Sequence, residues 1–318
     1  IHHPMSKKIF ITGGAGYIGT SLVPKLLDQG HEVTVYDCLF HGGNQILPFL
    51  RNKSFSFIRG DIRDADLLSK SVEGHDIVIH LAAIVGFPAC KLNPKVAADV
   101  NVQGTKNLIE ACEKDYQPIL YGSTGSNYGV VSDICTEETP LNPLSLYGET
   151  KTEAERLLLE RGNVVAYRFA TAFGISPRIR FDLLINDFAN KCIKDGYLVV
   201  YEKHFMRTFI HVEDIAESFI FGINNLDKMT DNVYNVGSDS MNYSKEQICN
   251  MIAEKTGAFV HFEEIGEDAD KRNYIVSYDK INQLGFETTV SMQKGIDEIC
   301  KALEVVDFQN SYTNAKYY

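Results

Sequence analysis

Two kinds of apolar pattern alternate along the first half of the chain. Short runs rich in β-branched and aromatic residues, at 8–12, 32–37, 55–60, 76–81, 118–123 and 164–169, have the length and composition of strands. Between most of them, apolar residues recur at helical spacing, as at Leu22, Leu26 and Leu27, and Gly30 supplies a helix stop. This alternation predicts βαβ units around a parallel sheet.

The alternation weakens beyond about residue 172, where shorter elements are separated by polar loops. We therefore predict a main domain over residues 5–171 and a smaller C-terminal lobe over 172–203 and 224–307. The strand and helix expected within 204–223 are predicted to rejoin the main sheet. Residues 1–4 are interpreted as the remnant of an expression tag, and residues 308–318 as a polar tail.

A glycine-rich turn directly follows the first predicted strand. The run "IFITGGAGYIG" places Gly13, Gly16 and Gly19 where the strand ends and a helix begins. Gly13 would permit the tight turn, Gly16 a close approach to a pyrophosphate, and Gly19 close packing of the helix. The start of the helix would offer free N–H groups and a positive dipole end to phosphates.

An acidic residue stands where such a site needs one. The second strand, "EVTVYD", ends at Asp37, whose carboxylate would accept hydrogen bonds from ribose hydroxyls. The same carboxylate would repel a 2′-phosphate, and no Arg or Lys follows it closely. The sequence therefore predicts a Rossmann-type, doubly wound α/β fold that binds NAD rather than NADP.

The net charge and the cysteines narrow the range of binding partners and cellular compartments that we expect. A net charge of −11 argues against nucleic acid or an anionic membrane as the main partner. The seven cysteines are dispersed, with no CxxC pair, which is typical of free thiols in a reducing compartment. No apolar run approaches the length of a membrane span, and no signal peptide precedes the first strand. We therefore expect a cytoplasmic protein.

Several further segments carry a family resemblance. They are "GDIRD" at 60–64, "HLAA" at 80–83, "NVQGTKNLIEAC" at 101–112, "STGSNYG" at 123–129, "YGETK" at 147–151 and "MRTFIHVEDIA" at 206–216. Together with the glycine spacing, they resemble the extended short-chain dehydrogenase/reductase family, and within it the nucleotide-sugar epimerase and dehydratase branch. The likeness extends from residue 7 to about residue 300.

The resemblance implies an active site built on Tyr147 and Lys151, which lie one helical turn apart and so share a helix face. Tyr147 would be the acid/base, and Lys151 would bind the nicotinamide ribose, while positive charges nearby favour the phenolate. Thr124 would hydrogen-bond the oxygen that loses or gains the proton; a hydroxyl at a strand end can also simply cap its own backbone. The further cofactor contacts implied are Tyr17, Ile18, Asp61, Ile62, Leu81, Ala82, Ala83 and Asn101.

The resemblance also implies a nucleotide-diphosphate sugar as substrate. Thr124, Thr171, Arg180, Asn186, Arg207 and Arg272 are the implied contacts. Arg178 and Arg180 could clamp a diphosphate, although exposed loop arginines are more often solvated. Thr171 replaces an Asn found in many relatives. A homodimer is expected through helices near 95–114 and 146–161, on the apolar positions Leu108, Ala111, Ala154 and Leu158.

The residues after Thr124 bear on the reaction. The 4,6-dehydratases that this chain resembles carry Asp-Glu there, and the 3,5-epimerases carry Cys at the second position, whereas this chain has Gly125 and Ser126. Small, non-acidic residues suit a 4-epimerase that works through a transient 4-keto sugar, and equally a C4 dehydrogenase or reductase. A non-catalytic NAD-sensing protein is a further alternative, but it would not need Thr124, Tyr147 and Lys151 together.

Overall fold

The computed structural model describes residues 5–85, 87–268 and 273–308. Its strands are β1 (Lys8–Thr12), β2 (Glu32–Asp37), β3 (Phe55–Arg59), β4 (Ile77–His80), β5 (Ile119–Thr124), β6 (Val130–Cys135), β7 (Val164–Phe169), β8 (Thr171–Phe173), β9 (Tyr197–Tyr201), β10 (Met206–His211), β11 (Asn232–Val236), β12 (Asn242–Ser244), β13 (Phe259–Glu263) and β14 (Asn273–Val276).

The α-helices are α1 (Gly19–Asp28), α2 (Ala65–Val72), α3 (Phe87–Leu92), α4 (Pro94–Ala98), α5 (Gly104–Ala111), α6 (Leu146–Arg161), α7 (Leu184–Asp195), α8 (Val212–Asn224), α9 (Leu226–Met229), α10 (Lys245–Thr256), α11 (Asp279–Asn282) and α12 (Met292–Val305). Short 3-10 helices lie at Asn44–Phe49, Gly125–Tyr128 and Asp239–Met241, and a π-helical turn lies at Asp99–Gln103. No helix in these described ranges is long and apolar enough to cross a membrane.

A parallel sheet of seven described strands forms the centre, in the order β11-β7-β5-β4-β1-β2-β3. The six strands predicted from the sequence are all present in it, to within one residue at each end. The doubly wound Rossmann-type fold is thereby confirmed.

Alternating side chains of these strands point to opposite faces, and each face carries helices. On one face, Ile9 and Ile11 pack in a core with residues of α1 and α8, such as Leu22 and Phe219. On the other face, Phe10 packs in a separate core with residues of α2, α5 and α6. Because both faces are covered, the sheet is buried and its strands are almost continuously apolar.

The prediction that the strand within 204–223 rejoins the main sheet is wrong. β10 pairs instead with β8 and β12 in a second sheet, and only its helix, α8, returns to pack beside α1. The edge of the main sheet beside β7 is taken by β11, within the segment 224–307 assigned to the lobe. An apolar run predicts a strand but not its partner, because partners are chosen by long-range packing.

The second lobe has its own core. The second sheet and the two-stranded pair of β9 and β13 pack with helices α7, α10 and α12 around apolar residues such as Phe173, Ile185, Ile248 and Ile296. β6, which follows the end of β5 through one 3-10 turn, pairs with β14. The end of a central strand is thus linked directly to C-terminal segments of the chain.

The apolar residues that were predicted to form a dimer interface pack inside the chain instead. Leu108, Ala154 and Leu158 are 0% exposed, because they pack α5 and α6 against the sheet and each other. Ala111 is partly buried against the same core. These side chains are occupied within one chain, so they do not support a dimer.

Candidate active site

A cleft opens where the strand order reverses. β1 lies between β2 and β4, so the loops after β1 and β4 leave the sheet side by side at its carboxyl edge, the place where such sheets bind ligands. Gly13 has φ +71°, and a Cβ there would lie 2.6 Å from the backbone nitrogen of Ala82. The turn and the loop after β4 therefore touch backbone to backbone.

Gly16 and Gly19 differ in what surrounds them. A Cβ at Gly19 would overlap the backbone of Gly14, so this glycine lets the helix start close to its own turn. A Cβ at Gly16 would meet only the carbonyl oxygen of Gly13, at 3.3 Å, among the described atoms. Gly16 therefore presents open backbone towards the cleft, as a bound pyrophosphate requires.

The cleft has an empty volume of about 1100 Å³. Predicted cofactor contacts that line it are Gly13, Gly16, Tyr17, Ile18, Gly19, Asp37, Asp61, Ile62, Leu81, Ala82 and Ala83. It is also lined by residues that sequence reasoning did not assign to the cofactor, among them His41, Gln45, Arg63, Arg178 and Arg180. The cleft thus extends from the end of β2 past the glycine turn to the loop after β4.

Asp37 stands at the cleft with its carboxylate held in place. Its oxygens accept from the backbone N–H of Ala15, at 3.1 Å, and of Leu39, at 2.8 Å. Burial raises the pKa of Asp37, and these two hydrogen bonds oppose the rise. The open glycine backbone, the N-terminus of α1 and this fixed acid together fit a dinucleotide with free ribose hydroxyls.

Asp61 and Asn101 hold neighbouring loops. The Asp61 carboxylate is paired with the Arg63 guanidinium at 2.7 Å, and this hydrogen-bonded charge lowers the pKa of Asp61. Asn101, in the π-helical turn, is 2% exposed, accepts from Ile84 N at 2.7 Å and donates to Ile84 O at 3.0 Å. Asn101 therefore fixes the end of the loop after β4 and does not itself line the cleft.

Thr124, Tyr147 and Lys151 come from two adjoining elements. Thr124 ends β5, and α6, which carries the other two residues, packs on β5 and on the 3-10 turn after it. Ser145 caps α6 by accepting from the N–H of Gly148, so the helix begins just before Tyr147. Tyr147 packs against Ile84, Cys90 and Ala97 beside the loop after β4.

Lys151 is buried, with 4% of its surface exposed. Its ammonium group donates to Gly122 O at 2.5 Å and lies 4.5 Å from the ring centroid of Tyr121. Burial lowers the pKa of Lys151 to about 7, while Cys90 and Glu155 act in the opposite direction. The lysine is therefore poised to change its charge near neutral pH.

The Thr124 hydroxyl caps its own backbone, which is the simpler of the two roles expected for it. It caps the following 3-10 turn by accepting from Ser126 N at 3.1 Å, and it lies 2.9 Å from the Ser126 hydroxyl. Gly125, Ser126, Asn127 and Tyr128 are all buried. No carboxylate occurs in this turn directly after Thr124.

A buried polar network beneath the cleft was not predicted. His80 lies between the hydroxyls of Thr12, at 2.7 Å, and Thr105, at 2.9 Å. Burial lowers the pKa of His80 to about 3, so the ring is neutral. Because Thr105 donates its own proton to Asn101 O, it accepts from Nε2 of His80, and Nδ1 accepts from Thr12.

This network continues to the tyrosine. Asn101 donates from Nδ2 to the Thr150 hydroxyl at 3.0 Å, and Thr150 donates to the carbonyl oxygen of Tyr147 at 3.1 Å. The first turn of α6 is thereby tied through hydrogen bonds to the end of β1. A sequence pattern could not find this path, because its members are far apart in the chain and join only through the fold.

A buried ion pair holds α6 from its other side. Arg168 of β7 makes hydrogen bonds to both oxygens of Glu155, the shortest at 2.6 Å, and both side chains are almost fully buried. Ser123 donates to the same carboxylate at 2.6 Å, and Arg168 donates to the Tyr128 hydroxyl at 3.1 Å. The pair fixes Lys151's helix against β5 and β7.

The predicted substrate contacts are distributed over several elements of the fold. Arg180 lines the cofactor cleft, and its guanidinium is paired with Asp182 at 2.6 Å and 3.1 Å. Asn186 is 0% exposed and uses its amide to hold Gly174 and Arg180 by their backbones. A substrate contact by Asn186 is therefore not supported, because its polar atoms are taken up by the protein.

The remaining substrate candidates lie in the second sheet or outside the described residues. Thr171 begins β8, opposite Phe209 of β10. Arg207 is 1% exposed in β10, donates to Met206 O at 3.1 Å and has its guanidinium 5.6 Å from the Phe205 ring centroid. Arg272 lies outside the described residues.

The fold and cleft define an NAD-binding protein with a Tyr-x-x-x-Lys pair on a helix beside the cofactor cleft. The NAD dependent epimerase/dehydratase family model matches residues 9–237, and the chain belongs to this family. NAD is accordingly its cofactor, and the glycine turn and Asp37 line the cleft that fits a dinucleotide.

Individual relatives differ in their reactions. The UDP-glucose 4-epimerase of Lactobacillus helveticus is 28% identical over 79% of this chain and 82% of that protein. UDP-glucuronic acid decarboxylase 1 of Arabidopsis thaliana is 30% identical over 96% of this chain and 71% of that protein. The structure of DesIV, a dTDP-glucose 4,6-dehydratase from Streptomyces venezuelae, with NAD bound, has a TM-score of 0.83 at 25% identity, over 94% of this chain and 97% of that chain.

Proposed function

We propose that the protein is an NAD-dependent nucleotide-sugar 4-epimerase. The observation that carries this proposal is the site itself: Tyr147 and Lys151 share one face of α6, which packs on the strand ending at Thr124 and on the non-acidic turn that follows it. A nucleotide-sugar substrate is supported by the names of the relatives, which act on UDP-glucose, UDP-glucuronic acid and dTDP-glucose.

The residues divide the work at the sugar C4 oxygen. Bound NAD would supply the hydride acceptor and donor. Tyr147 takes the C4 hydroxyl proton as general base and returns it after the 4-keto sugar has turned over. Lys151 favours the tyrosine phenolate when it is protonated, and Thr124 holds the reacting oxygen.

The turn after Thr124 argues against loss of water from the sugar. Elimination across C5 and C6 needs an acid and a base beside the ring, and Gly125 and Ser126 provide neither. The Ser126 hydroxyl is engaged with Thr124, so the turn acts as support for that residue. The C4 dehydrogenase or reductase alternative uses the same residues and has to be separated by experiment.

The test follows a label at C4. The purified protein is incubated with UDP-, GDP-, CDP- and dTDP-sugars, and with the C4-deuterated form of any sugar that binds or reacts. A 4-epimerase returns the deuterium to C4 of the inverted product and forms no net NADH. Net NADH formation with loss of the label would establish a dehydrogenase, and a product lighter by one water would establish a dehydratase.

Tyr147→Phe is the matched control in this assay. It keeps the aromatic ring and removes only the proton-transferring oxygen. Full turnover by this variant would overturn the proposed chemistry, whichever sugar is the substrate.

A further inference from the structure

Two loops from distant parts of the chain meet over the glycine turn. The first runs from Gly174 to Asp182 and is fastened to that turn at several points. Tyr17 donates its hydroxyl to Gly174 O at 2.5 Å, and Ser176 donates to Tyr17 O at 2.7 Å. The Ser176 hydroxyl also lies 3.0 Å from that of Thr20 in the first turn of α1. Arg178 is thereby carried to the N-terminal end of this helix.

The second loop follows β2 and is also fastened to the glycine turn. Gln45 donates from Nε2 to Ala15 O at 2.8 Å and to Gly42 O at 2.7 Å. Asp37, at the start of this loop, accepts from Ala15 N. His41 is therefore held between two attachment points, and its side chain lines the same cleft as Arg178.

The charges around this meeting point favour an anion. His41 and Arg178 line the same cleft from the two loops, over a helix N-terminus that itself attracts negative charge. The diphosphate of a dinucleotide is the part of the cofactor with that charge.

We propose that His41 and Arg178 close over the diphosphate of bound NAD, and that His41 takes up a proton when the cofactor binds. Nothing in the sequence pattern assigned either residue to the cofactor. The inference rests on NAD binding and not on the sugar chemistry proposed above, so it stands or falls without a sugar substrate.

The electrostatics of His41 explain the proton uptake. In the protein without cofactor, burial and then the charges of Arg178 and Arg180 lower the pKa of His41 to about 4, while Asp182 opposes the decrease. The ring is therefore neutral near neutral pH. A diphosphate placed beside it offsets the arginine charges and stabilises the imidazolium, so the pKa of His41 rises on binding. Asp37, a carboxylate in the same cleft, binds at the ribose end and acts separately.

Calorimetry measures this uptake directly. NAD is titrated into cofactor-free protein at pH 6.5 in two buffers with different heats of ionisation. We expect a net uptake of protons that decreases towards pH 8 as the bound histidine loses its proton. If the binding heats of the wild-type protein are the same in both buffers, that result by itself overturns the proposal.

Variants show which side chain takes up the proton. His41→Gln should abolish the uptake and raise the NAD dissociation constant about tenfold at pH 6.5, the effect of losing a charge-assisted hydrogen bond. Arg178→Gln should weaken binding similarly but leave an uptake of protons. His261→Gln, which changes an exposed histidine in β13 away from the cleft, should match the wild type. Unchanged affinity or persistent uptake in His41→Gln would contradict the clamp.

A second measurement covers protein that retains its cofactor through purification. In the NAD-loaded wild type, the His41 ring resonances are assigned by their loss in His41→Gln and followed through a pH titration. They should titrate well above the value of about 4 that applies without cofactor. Titration near 4 in the loaded protein would show that the ring does not meet the diphosphate.

Discussion

Lys151 combines a charged group with an almost fully buried position, and this makes stability depend on pH. Its pKa is about 7 in the folded chain, against 10.5 for an unperturbed lysine. Between these values the unfolded chain binds a proton that the folded chain does not. The free energy of unfolding therefore rises with pH over this range, by up to about 1.4 kcal/mol per pH unit, and the full penalty is present below pH 7.

We predict that this dependence disappears in Lys151→Met. Urea unfolding of cofactor-free protein at pH 7.0 and pH 8.5 should show the wild type gaining about 1–2 kcal/mol relative to the variant. Equal changes in both proteins over this interval would mean that the lysine stays protonated in the folded state.

Tyr147 and Lys151 are one helical turn apart, but their substitutions should have different effects. Tyr147→Phe should fold, bind NAD normally and lose about 10²–10⁴-fold in turnover, because only a proton-transfer group is removed. Lys151→Ala should reduce both NAD affinity and turnover, because a cofactor contact and a cation are lost together. NAD titration and steady-state kinetics test both. A Tyr147→Phe protein with weak NAD binding but a normal rate per bound cofactor would make the tyrosine structural.

At the scale of structural elements, two glycines of the same turn should affect different properties: one the stability of the fold and the other the binding of NAD. Gly19→Ala should destabilise the protein by about 1–3 kcal/mol, because its Cβ would overlap the Gly14 backbone at the start of α1. Gly16→Ala should fold nearly normally, because its Cβ meets only Gly13 O, at 3.3 Å, among described atoms, but it should bind NAD more than about tenfold more weakly. Urea unfolding and NAD titration measure the two effects. Equal destabilisation by both variants would refute this division.

The attachment of α6 to β7 through Glu155 and Arg168 is open to a double-mutant cycle. Arg168→Met should cost about 3–5 kcal/mol, because it leaves a buried carboxylate without its cation. Glu155→Leu combined with Arg168→Met should recover most of that loss, since neither charge then remains buried. Urea unfolding of the two single variants and the double variant gives the coupling, and purely additive losses would show that the pair does not act as a unit.

The elements of the main sheet could be predicted because each carries its own local signal. Apolar runs, helical spacing and the glycine turn identified β1 to β5 and β7, and the acid Asp37 at the end of β2. Local signals do not specify which strands or loops will lie next to each other. The edge position of β11, the second sheet around β10 and the seat of the Gly174–Asp182 loop all depend on contacts made by residues far apart in sequence. For the same reason the sequence did not predict that Arg180, a candidate substrate contact, also lines the cofactor cleft.

At the scale of the whole molecule, we predict a homodimer through the outer faces of α5 and α6. The inner apolar residues of these helices are used within the chain, so the contact must be made by exposed residues such as Arg156, which pairs with Glu153 and Glu160 on its own helix. Sedimentation velocity at micromolar concentration should give twice the chain mass.

Arg156→Glu should shift this equilibrium towards the monomer, because it reverses a charge and breaks both pairs. Arg51→Glu, at an exposed position far from these helices in sequence, is the matched control. A wild-type monomer under these conditions would count against the dimer.

The position of β11 has a consequence for the way the chain is made. A ribosome delivers the glycine turn and the strands around it first, but the outer edge of β7 stays open until residue 236 has left the exit tunnel. During that interval the nascent chain exposes an apolar strand edge, which is a template for pairing with a neighbouring chain on the same message. A shortened gene that stops near residue 171 would make this transient hazard permanent, so an expressible cofactor-binding fragment has to include β11.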